Sequence, residues 1–236
     1  LAVQSYESLL VSDQSPFDRF MDGDDSALSD DQLRGLLSFI KTPFSRGRLF
    51  RGVERGSCVL CHAGPELTAA AYTTNKKGKI RVSRATRLEA GVLIEDLSAG
   101  GHFDQGFFNT GVRPAEEDLG RGTDLYESLR FTRAAIAGLP SAPPLPVCGG
   151  TEHAPCPVGN RDFVDGAFKV PGLRNVELTG PYFHNGGQAS LEQVLDFYRR
   201  QGDFVDRNVA SVSPFMAFMD FDVVSATHMV QFLLGL

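Results

Sequence analysis

Three side chains within five residues can act together: Cys58, Cys61 and His62, in the run Cys58-Val59-Leu60-Cys61-His62. This is the C-x-x-C-H spacing of covalent haem attachment. The chemistry sets the spacing. Two thiols must reach the two vinyl groups of one porphyrin, and the imidazole must then sit under the iron as proximal ligand. Two other chemistries use C-x-x-C. Structural zinc needs a second ligand pair, and the remaining cysteines, Cys148 and Cys156, lack that spacing. A redox disulfide of the thioredoxin kind needs a strand–helix–strand context, which is missing. The expectation is one covalent haem c, with His62 on the iron.

A haem has a second axial position. The candidates are His102, His153, His184, His228, Met216, Met219, Met229 and a tyrosine. Methionine is the usual partner in electron-carrier cytochromes, which favours Met216 or Met219. An isolated methionine is more often core filler than ligand. Composition and spacing do not choose among these.

Composition bounds the setting. A chain of 236 residues with 42% hydrophobic residues can build an ordinary globular core as one large domain or two small ones. A net charge of −6 argues against a general nucleic-acid surface. No apolar run approaches the roughly 20 residues that span a bilayer, so no transmembrane segment is expected. Covalent haem c implies export, so a periplasmic or otherwise exported location is expected. Cys148 and Cys156 flank a Pro/Gly-rich stretch, and a short-loop disulfide between them fits an oxidising compartment. Leu1 is not an initiator methionine, which points to a processed or partial chain.

The elements that must position the motif are helical. Residues 1–12 read as the end of a helix that Ser15-Pro16 stops. Ser29 and Gln32 form a capping box, opening a helix over 29–42 with Leu33, Leu36, Leu37 and Ile40 on its apolar face. Ser190 and Gln193 form a second box before a helix over 190–200 carrying Leu191, Val194, Leu195 and Tyr198. A final amphipathic helix over 222–236 carries Val223, Met229, Val230, Phe232 and Leu233. The segment 107–112 is aromatic-rich and suits a haem pocket wall. Residues 125–138 read as a short helix. Residues 74–100 and 139–160 read as inserts. The first is basic, with Lys76, Lys77, Lys79, Arg81, Arg84 and Arg87. It is either a solvated loop or a docking site for an acidic redox partner. The fold class expected is mainly α: a cytochrome c-like helical haem domain with long loop insertions.

The run from Phe168 to Gly186, with Val170-Pro171-Gly172-Leu173-Arg174-Asn175 and Pro181-Tyr182-Phe183-His184-Asn185, closely resembles the C-terminal haem domain of the bacterial di-haem cytochrome c peroxidase and MauG family. The 29–42 helix, the C-x-x-C-H run with Gly64-Pro65, the Phe108–Val112 segment and the last helix match in the same order. The resemblance covers most of the chain outside the two inserts. In the family's peroxidases a methionine ligates the iron fourteen residues after the histidine of the P-Y-F-H motif. Here that position is Tyr198, as in MauG-like members, so the resemblance implies Tyr198 as the distal ligand. Family members also bind calcium, and two of its ligands map onto the backbone carbonyls of Thr179 and Pro181. Carbonyl oxygen suits that hard cation.

The family has two haem motifs and this chain has one. Residues 1–28 resemble the linker leaving an N-terminal haem domain, and residues 29–236 resemble the C-terminal domain. The resemblance therefore implies a second haem c and a peroxide-reacting pocket on an upstream domain or partner chain. Trp is absent, which fits an inter-haem tryptophan lying elsewhere. The function expected is the electron-transfer half of a peroxide-dependent di-haem oxidoreductase, relaying or storing oxidising equivalents. Its partners are a redox protein or donor cytochrome, with hydrogen peroxide at the other haem. The alternatives are a non-catalytic mono-haem electron-transfer subunit and a module in which haem mainly nucleates folding.

Overall fold

The computed structural model describes residues 13–71, 82–85, 88–89, 92–93, 101–121, 165–209 and 211–236. The helix expected over 1–12, the one over 125–138, the 139–160 insert with Cys148 and Cys156, and His153 lie outside the described residues.

The described residues are mostly helical with little sheet. Helix α1 spans Pro16–Met21, α2 Asp30–Ile40, α3 Leu191–Arg199 and α4 Val223–Leu233. The last three fall where the capping residues and apolar spacing place them. Helix α1 is an addition. Ser15 caps it with Asp18 in a capping box, and Pro16 fills the first turn, where its missing N–H costs nothing. Ser29 and Gln32 form the full reciprocal box of α2. At α3 only half of the expected box forms. Ser190 accepts from the Gln193 N–H, but the Gln193 side chain turns to the Ala189 N–H at 2.7 Å.

The strands are short antiparallel pairs. Strand β1 (Val82–Ala85) pairs with β4 (Gly101–Asp104), with Val82 opposite Asp104. Strand β2 (Leu88–Glu89) pairs with β3 (Val92–Leu93). The described part of the 74–100 insert is thus paired backbone. Strand β5 (Phe107–Phe108) pairs with β6 (Phe168–Lys169), so the chain before the second insert is stitched to the chain after it.

The core centres on α2 crossing α4, with α3 packed against α4. The buried positions of α2 are Gly35, Ser38 and Phe39, spaced i, i+3, i+4. The leucines expected to form that face lie beside it, half-buried. Gly35 explains the shift. A Cβ there would fall 2.0 Å from the His228 carbonyl oxygen and 2.8 Å from the Phe232 Cβ. Only glycine lets the two backbones come this close. On α4, Met229, Val230, Phe232 and Leu233 are buried, but Val223 is 64% exposed and leaves the expected face. It sits in the first turn, ahead of the crossing. Phe232 meets Phe39 at 5.3 Å and Phe17 at 5.5 Å, tying α1 to the crossing.

Arg174 fixes α1 to the chain after the C-x-x-C-H run. Its guanidinium holds both oxygens of Asp18, at 2.7 and 2.8 Å, and donates to the Pro65 carbonyl at 2.9 Å. Burial pushes the Asp18 carboxyl up, but hydrogen bonds from Ser15 and Arg174 outweigh it, so the group titrates below its usual range. A depressed carboxylate contributes stability above its unfolded pKa and loses it as pH falls through its folded value. Arg174→Met should therefore cost about 2 kcal/mol near pH 7, a fall of roughly 4–8 °C in Tm. The difference from the parent should shrink as the pH is lowered through the carboxylate range. Thermal melts at stepped pH check both parts.

Candidate haem site

The C-x-x-C-H run is seated by backbone and by two small residues. The Gly56 N–H donates to Ser38 at the end of α2, and the Ser57 N–H donates to Lys41. Gly56 has no room for a side chain, since a Cβ would lie 2.8 Å from both the Met229 sulfur and the Ser38 carbonyl. Ser57 is buried in a left-handed conformation, φ 55°, and its hydroxyl donates to the Phe218 carbonyl at 3.0 Å. From this anchor a 3-10 turn, Cys58–Leu60, carries the motif. The Cys61 and His62 N–H groups both return to the Cys58 carbonyl, at 3.1 and 2.8 Å. The two thiols and the imidazole thereby line one cavity of about 480 Å³. That volume suits a cofactor.

The ring of His62 is oriented from behind. Its Nδ1 lies 3.0 Å from the Leu67 carbonyl. A proton on Nδ1 leaves Nε2 as the free lone pair, the arrangement a metal-ligating histidine needs. Burial pulls the His62 pKa down to about 4, although the Leu67 and Pro171 carbonyls favour the proton. The imidazole is neutral at pH 7. Burial pushes both thiols up to about 12. Neutral sulfur suits a thioether and opposes thiolate chemistry. Among the described residues no three His, Cys, Asp or Glu side chains gather as a metal cluster.

The rest of the wall is largely apolar. Phe39, Met229 and Leu233 come from the α2–α4 crossing, Leu191 and Leu195 from α3, and Phe108 and Val112 from the aromatic segment. Asn109 fixes that segment. It is buried, donates to the Asp165 carbonyl at 2.9 Å and to Ser211 at 3.0 Å, and accepts from the Gly111 N–H at 2.8 Å.

Tyr198 lines the same cavity, packed against Phe197 at 5.3 Å and Phe183 at 6.0 Å. Burial raises its pKa, and the neighbouring Cys61 and Cys58 raise it further. Among the described residues its hydroxyl has no hydrogen-bond partner. Met216, Met219 and Met229 are buried and line the cavity as well. The other histidines are engaged or placed elsewhere. His228 faces Asp31 at 3.4 Å across the helix crossing. His184 lines the cavity and bonds to Asp118 at 2.8 Å. His102 lies on β4.

Thr179 and Pro181 also line the cavity, on either side of the cis Gly180–Pro181 bond. Two carbonyls fall short of the six to eight oxygens calcium takes. With no acidic cluster beside them among the described residues, they do not by themselves form a calcium site.

Spacing did not single out the Leu67 carbonyl, five residues from His62, or the Gly56 contact, Phe39 and the Asp118–His184 pair. The last three depend on tertiary approach and leave no periodic trace. The glycines at 35 and 56 are the only local signals.

The chain is similar over most of its length to cytochrome c peroxidases and MauG proteins. Cytochrome-c peroxidase IdrP1 of Pseudomonas sp. (strain SCT) is 28% identical over 203 residues, covering 85% of this chain and 40% of that protein. Methylamine utilization protein MauG of Methylorubrum extorquens is 25% identical over 202 residues, covering 86% of this chain and 34% of that protein. The crystal structure of a MauG-like protein associated with microbial copper homeostasis shares the fold, with a TM-score of 0.52 at 19% identity over 94% of this chain and 48% of that one. The chain spans less than half the length of these relatives. No family model matches it.

Proposed function

We propose that this chain is a haem c domain of a peroxidase- or MauG-like oxidoreductase, acting as its electron-transfer half. One observation carries the reading. One largely apolar cavity receives two neutral thiols, an oriented neutral imidazole and, from α3, a phenol without a hydrogen-bond partner among the described residues. Cys58 and Cys61 would hold the porphyrin by thioether bonds, and His62 and Tyr198 would offer its iron a nitrogen and an oxygen. Bound there, haem supplies a one-electron couple. An anionic oxygen ligand favours higher-valent iron relative to thioether, so the site suits storing oxidising equivalents. The apolar wall excludes water and keeps the reorganisation on electron transfer small.

The chain's similarity to longer proteins supports the rest. Residues 1–28 act as a linker from an upstream haem domain, and residues 29–236 form the cytochrome c-like domain. A second haem c on the upstream domain or a partner chain meets hydrogen peroxide. The final donor is a redox protein or donor cytochrome, and the protein works in the periplasm or otherwise outside the cytoplasm. Among the described residues no helix is long and apolar enough to cross a membrane. Calcium carries no step here.

Peroxide titration of the complete protein tests the reading. Two haem spectra should change, with this haem oxidised in step with the other. A complete protein carrying one haem, or a spectrum that peroxide leaves unmoved, contradicts it and favours the mono-haem subunit.

A further inference from the structure

Apart from the C-x-x-C-H run, the charged or ionisable groups lining the wall include Arg113, Asp118, Lys169 and His184. Arg113 is paired with Glu117 at 2.7 Å. Two of the others, Asp118 and His184, are grouped at Phe168. The His184 ring lies flat on the Phe168 ring, with centroids 3.5 Å apart and planes within 5°. Its Nε2 is 2.8 Å from Asp118 Oδ2, which sets the ring's rotation. Gly120 lies close to Phe168, where a Cβ would fall 2.8 Å from the ring. Lys169 follows Phe168 on β6, is exposed at the cavity mouth, and has no anionic partner among the described residues.

An apolar cavity has no use for a fixed imidazole and an exposed ammonium on its wall. A carboxylate at its edge does, because an ionised carboxylate against apolar surface is costly unless a cation or charged donor meets it. A porphyrin carries two carboxylate side chains. We propose that Lys169 and His184 receive those carboxylates, with Asp118 and Phe168 acting as positioning residues for His184. The inference rests on the haem reading and assigns the cofactor's acidic side. Asp118 accepts the Nε2–H and fixes the ring, and a carboxylate at Nδ1 would accept an N–H from that nitrogen.

The test uses the haem-loaded protein and three variants: Lys169→Gln, Lys169→Arg and His184→Gln. Resonance Raman reads the carboxylate side-chain bending bands, and a redox titration reads the potential. Lys169→Gln and His184→Gln should each shift a bending band and leave the axial-ligand spectrum unchanged. Lys169→Gln should also lower the potential, because losing a nearby positive charge favours the ferric state. Lys169→Arg should restore both values. Unmoved bending bands in both glutamine variants overturn the proposal. A lowered potential with unmoved bands overturns it too, since that reports only a distant charge. Lys169 is exposed, so its two variants decide the matter should His184→Gln fail to fold. A parent protein without covalent haem defeats the haem reading instead, so the two failures are separable.

Discussion

Tyr198→Phe changes the haem spectrum and raises its reduction potential. The substitution removes one oxygen and keeps the ring that packs on Phe183 and Phe197, so the fold should barely notice. The cavity loses its phenol. Burial by the protein alone pushes the Tyr198 pKa up, so only a strong positive charge alongside ionises it. Ferric iron held there would supply such a charge, and removing that phenolate would remove a preference for the ferric state. Axial ligation spans roughly 0.8 V across haem proteins, and losing an anionic oxygen should move the potential upward on the order of 0.1 V. Magnetic circular dichroism with a redox titration measures both effects. An unchanged spectrum eliminates Tyr198 and returns the assignment to Met216 or Met219, which line the same cavity.

Gly35→Ala should be the most damaging change outside the cofactor's own ligands. Its added methyl would stand 2.0 Å from the His228 carbonyl oxygen, on the backbone of α4. No rotamer relieves a clash with backbone, so the helices must part. Overpacking of this kind costs about 3 kcal/mol, a fall of roughly 6–12 °C in Tm. The damage should also reach the site. Phe39 and Met229 line the cavity from the two helices that separate, so the haem band should broaden or shift with the melt. A Gly35→Ala protein that melts with the parent contradicts the close crossing. His228 need not be invoked in that result, because the contact is with its backbone.

Much of this architecture is written locally. Ser29 with Gln32, Ser190 and Asp222 cap the helices that build the cavity, and each cap is a short-range pattern that a sequence displays openly. The C-x-x-C-H run is equally local, because one turn brings its three groups together. What escaped is what depends on approach. The buried face of α2 turned toward Phe39 because Gly35 admits α4, and spacing alone favours the leucines. Ser15-Pro16 reads as a stop and is also a start, since a capping serine followed by proline serves a helix beginning as well as one ending. The partners of His184 lie 66 and 16 residues away, at Asp118 and Phe168, beyond any local pattern. Tyr198 was reached through resemblance, and the cavity now places it with the thiols and His62. Met216, Met219 and Met229 line the same cavity.

The central claim is covalent haem on Cys58 and Cys61 with His62 behind it. The most direct measurement is the intact mass under denaturing conditions of protein made in cells that mature c-type cytochromes, beside a Cys58→Ala, Cys61→Ala variant. The account predicts that the parent carries the mass of one haem through denaturation and that the double variant carries none. A parent with no covalent haem, or a double variant that retains it, would contradict the account.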